Sequence, residues 1–412
     1  MTGMRPKLAI VVPALRDGGG VPAVARFIRD TVQRSGEFDL KLISLATSAT
    51  DECNISLRVP RTWSRGVLVR DLVWEDVRIK HVGAVGGELE FQRFRPRKAL
   101  ERELGCVDLI QVVSGAPSWA LSVLNLGKPV VLQVATRTIL ERRFAEMVGR
   151  GMPSQWRRLM TRITDKLDDR ALRSVDAVLV ENQSMLEYAS SLAEGRSVWV
   201  RYGPPGVDTD LFCPLQGRLG ETKAAGYVLS VGRFDDPRKN VGLLLESFAT
   251  MRRQMADPPH LELAGPADPG PAFWRRVQAL NLADVVEYHI GVSRDALVDL
   301  YQNALCLALS SDEEGLGMVI LEAMACGVPV VATRCGGPEG IITDGVDGYL
   351  VRRGDAHGLA GRLRRLAEDP LENDRMGINA RLSVEERFSH NKTGEVYLDT
   401  YRRLLSGALR SS

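Results

Sequence analysis

The chain has 412 residues, 44% of them hydrophobic and 26% charged, with a formal net charge of +2. That composition excludes a disordered or fibrous chain and leaves room for two or three globular domains. A charge this close to neutral gives no reason to expect a nucleic-acid partner. Cysteines 53, 106, 213, 306, 326 and 335 are scattered, without a C-x-x-C pair or a histidine at metal-ligand spacing. They read as small buried residues in a reducing compartment, and neither a disulfide nor a zinc framework is expected. No stretch approaches the roughly 18 apolar residues needed to span a bilayer. The short apolar run after Lys7 ends in Arg16-Asp17-Gly18 without a small-residue cleavage site, so it reads as a first strand. The expected location is cytoplasmic, with a peripheral membrane contact as the variant of that expectation.

In chain order, residues 7–13 predict a parallel-type strand, 15–20 a glycine loop and 21–34 a helix. Strand, glycine loop and helix make the first unit of a doubly wound fold, with Gly18 and Gly19 beside the ligand crevice. The loop is not G-x-G-x-x-G, and a plain tight turn is the other reading. Strands are predicted over 39–45, 77–81, 107–113, 129–135, 176–180 and 197–200, mostly alternating with helices. Such alternation predicts a parallel sheet covered on both faces. Residues 52–70 are irregular, and the longest helical pattern lies near 152–173.

This half is rich in arginine, including Arg61, Arg65, Arg93, Arg95, Arg97, Arg137, Arg142, Arg157 and Arg162. Solvated faces explain such a pattern; an anionic acceptor or an acidic membrane surface is the sharper alternative. Trp63, Trp119 and Trp156 read as core residues, with anchoring of sugar or apolar groups as the alternative. Gly203-Pro204-Pro205-Gly206 then breaks the pattern, and a polar stretch runs to Gly226. Domains are therefore expected at 1–204 and 205–390, with 391–412 packing back on the first.

The second domain restarts the alternation with a strand at 227–231, the basic loop Gly232-Arg233-Phe234-Asp235-Asp236-Pro237-Arg238-Lys239-Asn240 and a helix over 241–255. Strands are predicted over 261–264, 285–288, 305–309, 328–332 and 348–351. Within 310–351, Gly315-Leu316-Gly317 opens an apolar helix that carries Glu322 in its middle, eight residues after Glu314. A carboxylate inside an apolar run needs a donor, which the run itself does not supply. A glycine-opened helix N-terminus is an anion site, and Gly336-Gly337 forms a second such loop. Together they suit a ligand that combines phosphate with sugar.

These pieces resemble the retaining GT-B glycosyltransferases of family 4, also called glycosyl transferases group 1. Glu314 and Glu322 match the family's E-x7-E motif, and Glu322-Ala323-Met324-Ala325 with Gly327 matches its continuation. Residues 232–240 are similar to its basic loop, and Pro205 to Phe212 to its domain-opening motif. The likeness covers the C-terminal half nearly throughout, and the N-terminal half only in its first strand and glycine loop. It implies an α/β GT-B fold: two Rossmann-like doubly wound domains facing a central cleft, with the last helix crossing back to the N-terminal domain. It also implies transfer of a sugar from a nucleotide-diphosphate donor, UDP- or GDP-linked, with retained anomeric configuration. The first domain would read the acceptor, and the second would hold the donor.

The resemblance and the residue chemistry assign the same roles. Arg233 and Lys239 neutralise the departing diphosphate, where a metal-dependent enzyme would use a cation. Asp208-Thr209-Asp210 lies in the linker and reads as structural, so neither a metal nor a cofactor is expected. Glu322 accepts from the ribose hydroxyls, since a carboxylate offers two oxygens to a vicinal diol. Glu314 contacts the transferred sugar, its other reading being an exposed loop acid beside Asp312 and Glu313. Backbone N–H groups at Leu316, Gly317 and Met318 meet sugar or phosphate oxygens. Gly18 and Gly19 let the first domain's backbone approach the diphosphate. Many members place a histidine after the strand at 129–135, and this chain has none there. Gln133, Thr136 and Arg137 are the candidates to replace it on the acceptor side. The acceptor itself, whether small molecule, glycan or lipid-linked, is not legible. Rival readings are an epimerase or phosphorylase on the same fold, and an inactive nucleotide-sugar-binding protein.

Overall fold

A computed structural model describes residues 5–13, 15, 20–148, 152–215 and 226–407, with side chains described outside 144–148 and 152–154. Gly18 and Gly19 lie outside the described residues. The chain divides into two compact units: Met1–Pro205 with Gly394–Ser412, and Gly206–Thr393.

The first unit is built on an eight-stranded sheet. Its strands are β1 (Lys7–Pro13), β2 (Asp39–Leu45), β3 (Val69–Trp74), β4 (Val77–Val82), β5 (Leu109–Ser114), β6 (Val130–Val134), β7 (Ala177–Val180) and β8 (Trp199–Tyr202). They lie in the order β3-β4-β2-β1-β5-β6-β7-β8. The central strands read as apolar runs because helices cover both faces; every residue of β5, β6 and β7 is buried. The expectation of a purely parallel sheet fails at one edge. β3 pairs antiparallel with β4 through a tight hairpin at Glu75 and Asp76, whose φ values are 46° and 63°. Both turn positions need positive φ, and Glu-Asp is a weak signal for such a turn, so the strand that begins where the irregular segment 52–70 ends carries no hairpin signal.

The last helix, His390–Leu405, completes this unit's core. Tyr397 and Tyr401 are fully buried and stack edge-on against Phe27 and Phe38, at 5.4 and 5.8 Å between ring centroids. Each buried hydroxyl has a partner: Tyr397 donates to Gly203 O and Tyr401 to Gln111 Oε1, both at 2.8 Å. Aromatic side chains of this size dominate core energetics, so the tail is part of the unit's stability.

The second unit carries a six-stranded parallel sheet. Its strands are β9 (Tyr227–Val231), β10 (Leu261–Gly265), β11 (Val286–Ile290), β12 (Ala304–Leu309), β13 (Val330–Thr333) and β14 (Gly348–Val351). The order is β11-β10-β9-β12-β13-β14. From β9 the chain winds outward to β11, then returns to lay β12 on β9's other side. That reversal is the topological switch point of an open α/β sheet, where ligands bind beyond the strands' carboxyl ends. The linker's Asp208 is structural, accepting from the backbone of Asp210 and Leu211 at 3.1 and 3.3 Å.

Candidate active site

The loops leaving β9 and β12 meet at this switch point. After β9, Asp236 Oδ1 accepts from Arg238 N at 3.0 Å and starts a short turn, Pro237–Lys239. Asn240, at φ 44°, caps the helix Val241–Arg252 and donates through Nδ2 to Asp312 Oδ2 at 3.1 Å. Asp312 N donates to Arg238 O at 2.7 Å, and Ser310 Oγ to Lys239 O at 2.9 Å. The two loops are thus joined by side-chain and backbone bonds.

Lys239 is aimed by this joinery. Its stem passes over Gly232, where a Cβ would stand 3.5 Å from it, and its Nζ lies 2.5 Å from Glu314 Oε1. Ser311 Oγ donates to the same carboxylate oxygen at 2.6 Å. Both members of the ion pair are largely buried, with side-chain exposures of 19% and 12%. Arg233, on the same loop, is half-exposed and lies 3.5 Å from Asp236 Oδ2. Asp236 is itself bound by Arg238 at 2.7 Å. Burial would raise the Asp236 carboxyl, but the Arg238 hydrogen bond and charge outweigh it and hold it below the usual range.

Glu314 is also fixed through its backbone. Its N donates to Cys335 O at 3.2 Å, and its O accepts from Gly337 N at 3.0 Å. The second glycine loop is therefore laced to the first. A side chain at Gly337 would meet Leu316 O at 2.3 Å, so only glycine permits that approach. Gly317, at φ 96°, opens the helix Met318–Ala325, and Leu316 is buried while Gly317 and Met318 are half-buried.

Glu322 lies half-buried on that helix, and its donor is the hydroxyl of Tyr301, at 2.8 Å from Oε2. Tyr301 comes from the helix Arg294–Asn303 and is fully buried. Burial, reinforced by the Glu322 charge, pushes its phenol well above the ordinary value and keeps it a donor. Sequence reasoning missed Tyr301, Asn240 and Ser311. Ser311 stood within the motif stretch, but nothing local marks Tyr301.

The residue pattern of the second unit, on this geometry, matches the family described as glycosyl transferases group 1 over residues 216–383. The likeness to that family is carried by those residues of the second unit. Among curated relatives, a D-inositol 3-phosphate glycosyltransferase of Kineococcus radiotolerans is 33% identical over 263 residues, 55% of this chain and 60% of that one. A GDP-mannose-dependent alpha-(1-6)-phosphatidylinositol monomannoside mannosyltransferase of Mycolicibacterium smegmatis is 29% identical over 295 residues, 68% and 73% of the two chains. The matches to the first curated relatives span 48%, 60% and 53% of their lengths, about half. The sucrose-phosphate synthase structure from Thermosynechococcus elongatus aligns over 98% of this chain and 100% of its own, with a TM-score of 0.73 at 21% identity. That likeness shows a GT-B fold.

The acceptor-side candidates lie in the first unit. Gln133 is buried in β6, and its Nε2 donates to Glu181 Oε1 at 3.1 Å. Burial raises the Glu181 carboxyl to about 7 despite that bond. Thr136 N donates to Gly115 O at 3.1 Å. Arg137 pairs with Asp165 at 2.7 Å and stacks 3.9 Å over the Tyr188 ring. Other arginines of this half are also engaged, Arg70 by Glu52 at 2.6 Å and Arg142 by Glu90 at 2.8 Å. Of the tryptophans, Trp119 packs edge-on against Phe94 at 5.0 Å as expected. Trp63 and Trp156 do not pack into the core: they are 57% and 55% exposed, on a surface loop and a helix face. Among the described residues, no helix is long and apolar enough to cross a membrane.

Proposed function

We propose that this chain is a retaining, metal-independent glycosyltransferase that moves a sugar from a UDP- or GDP-linked donor to an acceptor. The observation that carries the reading is the contact of Lys239 with Glu314, which joins the basic loop to the E-x7-E motif at the sheet's switch point. The second unit holds the donor. Arg233 and Lys239 face the diphosphate, with the backbone N–H groups of Leu316, Gly317 and Met318 beside it. Glu322, oriented by Tyr301, accepts from the ribose diol, and Glu314 contacts the transferred sugar. As the bond from the anomeric carbon to the diphosphate oxygen breaks, negative charge grows on that oxygen. Guanidinium and ammonium groups already in place stabilise it without reorganisation. The acceptor oxygen bonds to the anomeric carbon on the face the diphosphate leaves, and its proton passes to a diphosphate oxygen.

The first unit reads the acceptor, with Gln133, Thr136 and Arg137 on the acceptor side. The name of the Mycolicibacterium smegmatis relative pairs GDP-mannose with a phosphatidylinositol mannoside, which favours a lipid-linked acceptor here. Peripheral contact with an anionic membrane fits the helix Met152–Leu172, where exposed Trp156 and Leu159 stand beside exposed Arg157 and Arg162.

The test is turnover of UDP- and GDP-sugars with candidate acceptors, reading product anomer by NMR, with and without a chelator. Transfer with retention that survives chelation supports the proposal, and Glu322→Ala should lose nucleotide affinity. Epimerisation or phosphorolysis without transfer, nucleotide binding without turnover, or a strict divalent-ion requirement would each overturn it.

A further inference from the structure

Between β2 and β3 the chain makes a long crossing, and its first part folds back against β4. There Asp51 Oδ2 lies 3.0 Å from His81 Nε2. A carboxylate oxygen of Asp51, the Cys53 sulfur and a His81 ring nitrogen all lie within 4.8 Å of one another. Cys53 and His81 are 28 positions apart, so spacing along the chain does not announce them as a set. Ligands around a tetrahedral zinc ion sit about 3.3–3.8 Å apart, so Asp51 Oδ2 and His81 Nε2, now hydrogen-bonded at 3.0 Å, would open slightly and the Cys53 sulfur would adjust to share one centre with them.

The donors are oriented by their neighbours. His81 on β4 stands in register with Ser44 on β2, and its Nδ1 lies 3.1 Å from Ser44 Oγ. The Asp51 carboxylate can only accept, so His81 Nε2 donates to it and Nδ1 accepts from the Ser44 hydroxyl; an ion that takes Nε2 moves that proton to Nδ1, where Ser44 Oγ can accept it instead. Asp51 Oδ1 is occupied by Cys53 N at 2.8 Å, which turns Oδ2 toward His81. Cys53 O accepts from Leu68 N at 3.0 Å. Gly83 passes so close that a Cβ would lie 2.0 Å from Cys53 O. The next residue, Asn54, accepts from Ala84 N at 2.7 Å and donates to Ser48 O at 2.8 Å. The loop is thus pinned to the sheet before any ion arrives.

We propose that Asp51, Cys53 and His81 form a binding site for a divalent ion of the zinc class, with water at the fourth position. A thiolate, an imidazole and a carboxylate are the donor set of zinc and its transition-metal neighbours; calcium and magnesium take oxygen ligands. The ion's two positive charges balance thiolate and carboxylate, leaving a neutral centre suited to partial burial. Cys53 is buried, and the Asp51 and His81 side chains are 23% and 12% exposed, which leaves an approach for the ion. A metal ion is bound by the thiolate, so binding releases the thiol proton to solvent. The site belongs to the first unit and takes no part in the donor chemistry of the second.

The experiment is a Co2+ titration of the full chain under reducing conditions. About one equivalent should produce the near-ultraviolet sulfur-to-cobalt charge-transfer band, which Zn2+ then displaces. The band should vanish in Cys53→Ser and persist in Cys106→Ser, Cys106 being an exposed thiol. Ser44→Ala should weaken affinity roughly 10- to 100-fold, as loss of a partner behind a ligand does. Should Cys53→Ser not fold, Asp51→Asn and His81→Gln serve in its place and must weaken binding. Absence of the band in the unaltered chain, its survival in Cys53→Ser, or unchanged affinity in Asp51→Asn and His81→Gln would overturn the site.

Discussion

The hydroxyl of Tyr301 donates to Glu322 at 2.8 Å across 21 residues of sequence, from one helix to the next. The ring also stacks edge-on with Phe212 at 6.0 Å, so Tyr301→Phe keeps the packing and removes only the bond. That bond reaches an ionisable carboxylate, and its loss should lower stability by about 1–3 kcal/mol. Nucleotide affinity should fall as well, but less than in Glu322→Ala. Urea unfolding and titration calorimetry check the two effects; an unchanged nucleotide affinity would show that Tyr301 does not orient Glu322.

Lys239 and Glu314 should separate binding from transfer. Lys239→Ala removes a cation from the diphosphate, and the proposed transfer should fall roughly 100- to 1000-fold in kcat. Glu314→Gln leaves Lys239 without its counter-charge. Nucleoside diphosphate should then bind as tightly or more tightly, while transfer still falls. Measuring Kd and kcat on both variants decides this, and weaker nucleotide binding in Glu314→Gln would contradict the division of roles.

Glu181 makes the first unit sensitive to pH. Its folded-state value, about 7, is raised from an ordinary 4.5 by burial. The associated stability is therefore fully present below about pH 4.5 and is lost as pH rises through about 7. The loss amounts to roughly 3 kcal/mol, since each tenfold difference in proton affinity between the folded and unfolded chain is worth about 1.4 kcal/mol. Glu181→Gln should flatten this dependence and be the more stable protein at about pH 8. Urea unfolding between about pH 5 and pH 8 reads it directly, and parallel curves for the two proteins would refute it.

Gly337 is where the two glycine loops touch. Gly337→Ala would drive a methyl group into Leu316 O, a backbone atom that cannot swing aside. A loss of about 1–3 kcal/mol is expected, with weakened nucleotide binding through the displaced Glu314. Thermal unfolding and calorimetry test it; a variant as stable and as tight as the parent would mean the loops are not coupled there.

The local signals proved dependable where one element explains itself. Apolar runs such as those of β5 and β12 read as strands because helices cover both faces of a parallel sheet. Glycine marked loops at 317, where φ is positive, and at 337, where a side chain would collide with backbone. The basic loop and Glu314 were legible because each lies within a few residues of a strand end, and Glu322 because it interrupts an apolar helical run. β3 was not, since its turn uses Glu75 and Asp76 in a conformation those residues seldom adopt.

Chain order alone could say which residues stand near one another along the backbone, and so which strands, loops and charged motifs exist. It could not say that Tyr301 would serve Glu322, that Lys239 would settle on Glu314, or that Cys53 would meet His81. Those partners are joined by strand order and helix packing, which depend on the burial of the whole sheet and not on any short window of residues. Periodicity is a local property and survives in the sequence; the pairing of buried polar groups is a property of the packed interior and exists only once the chain has folded.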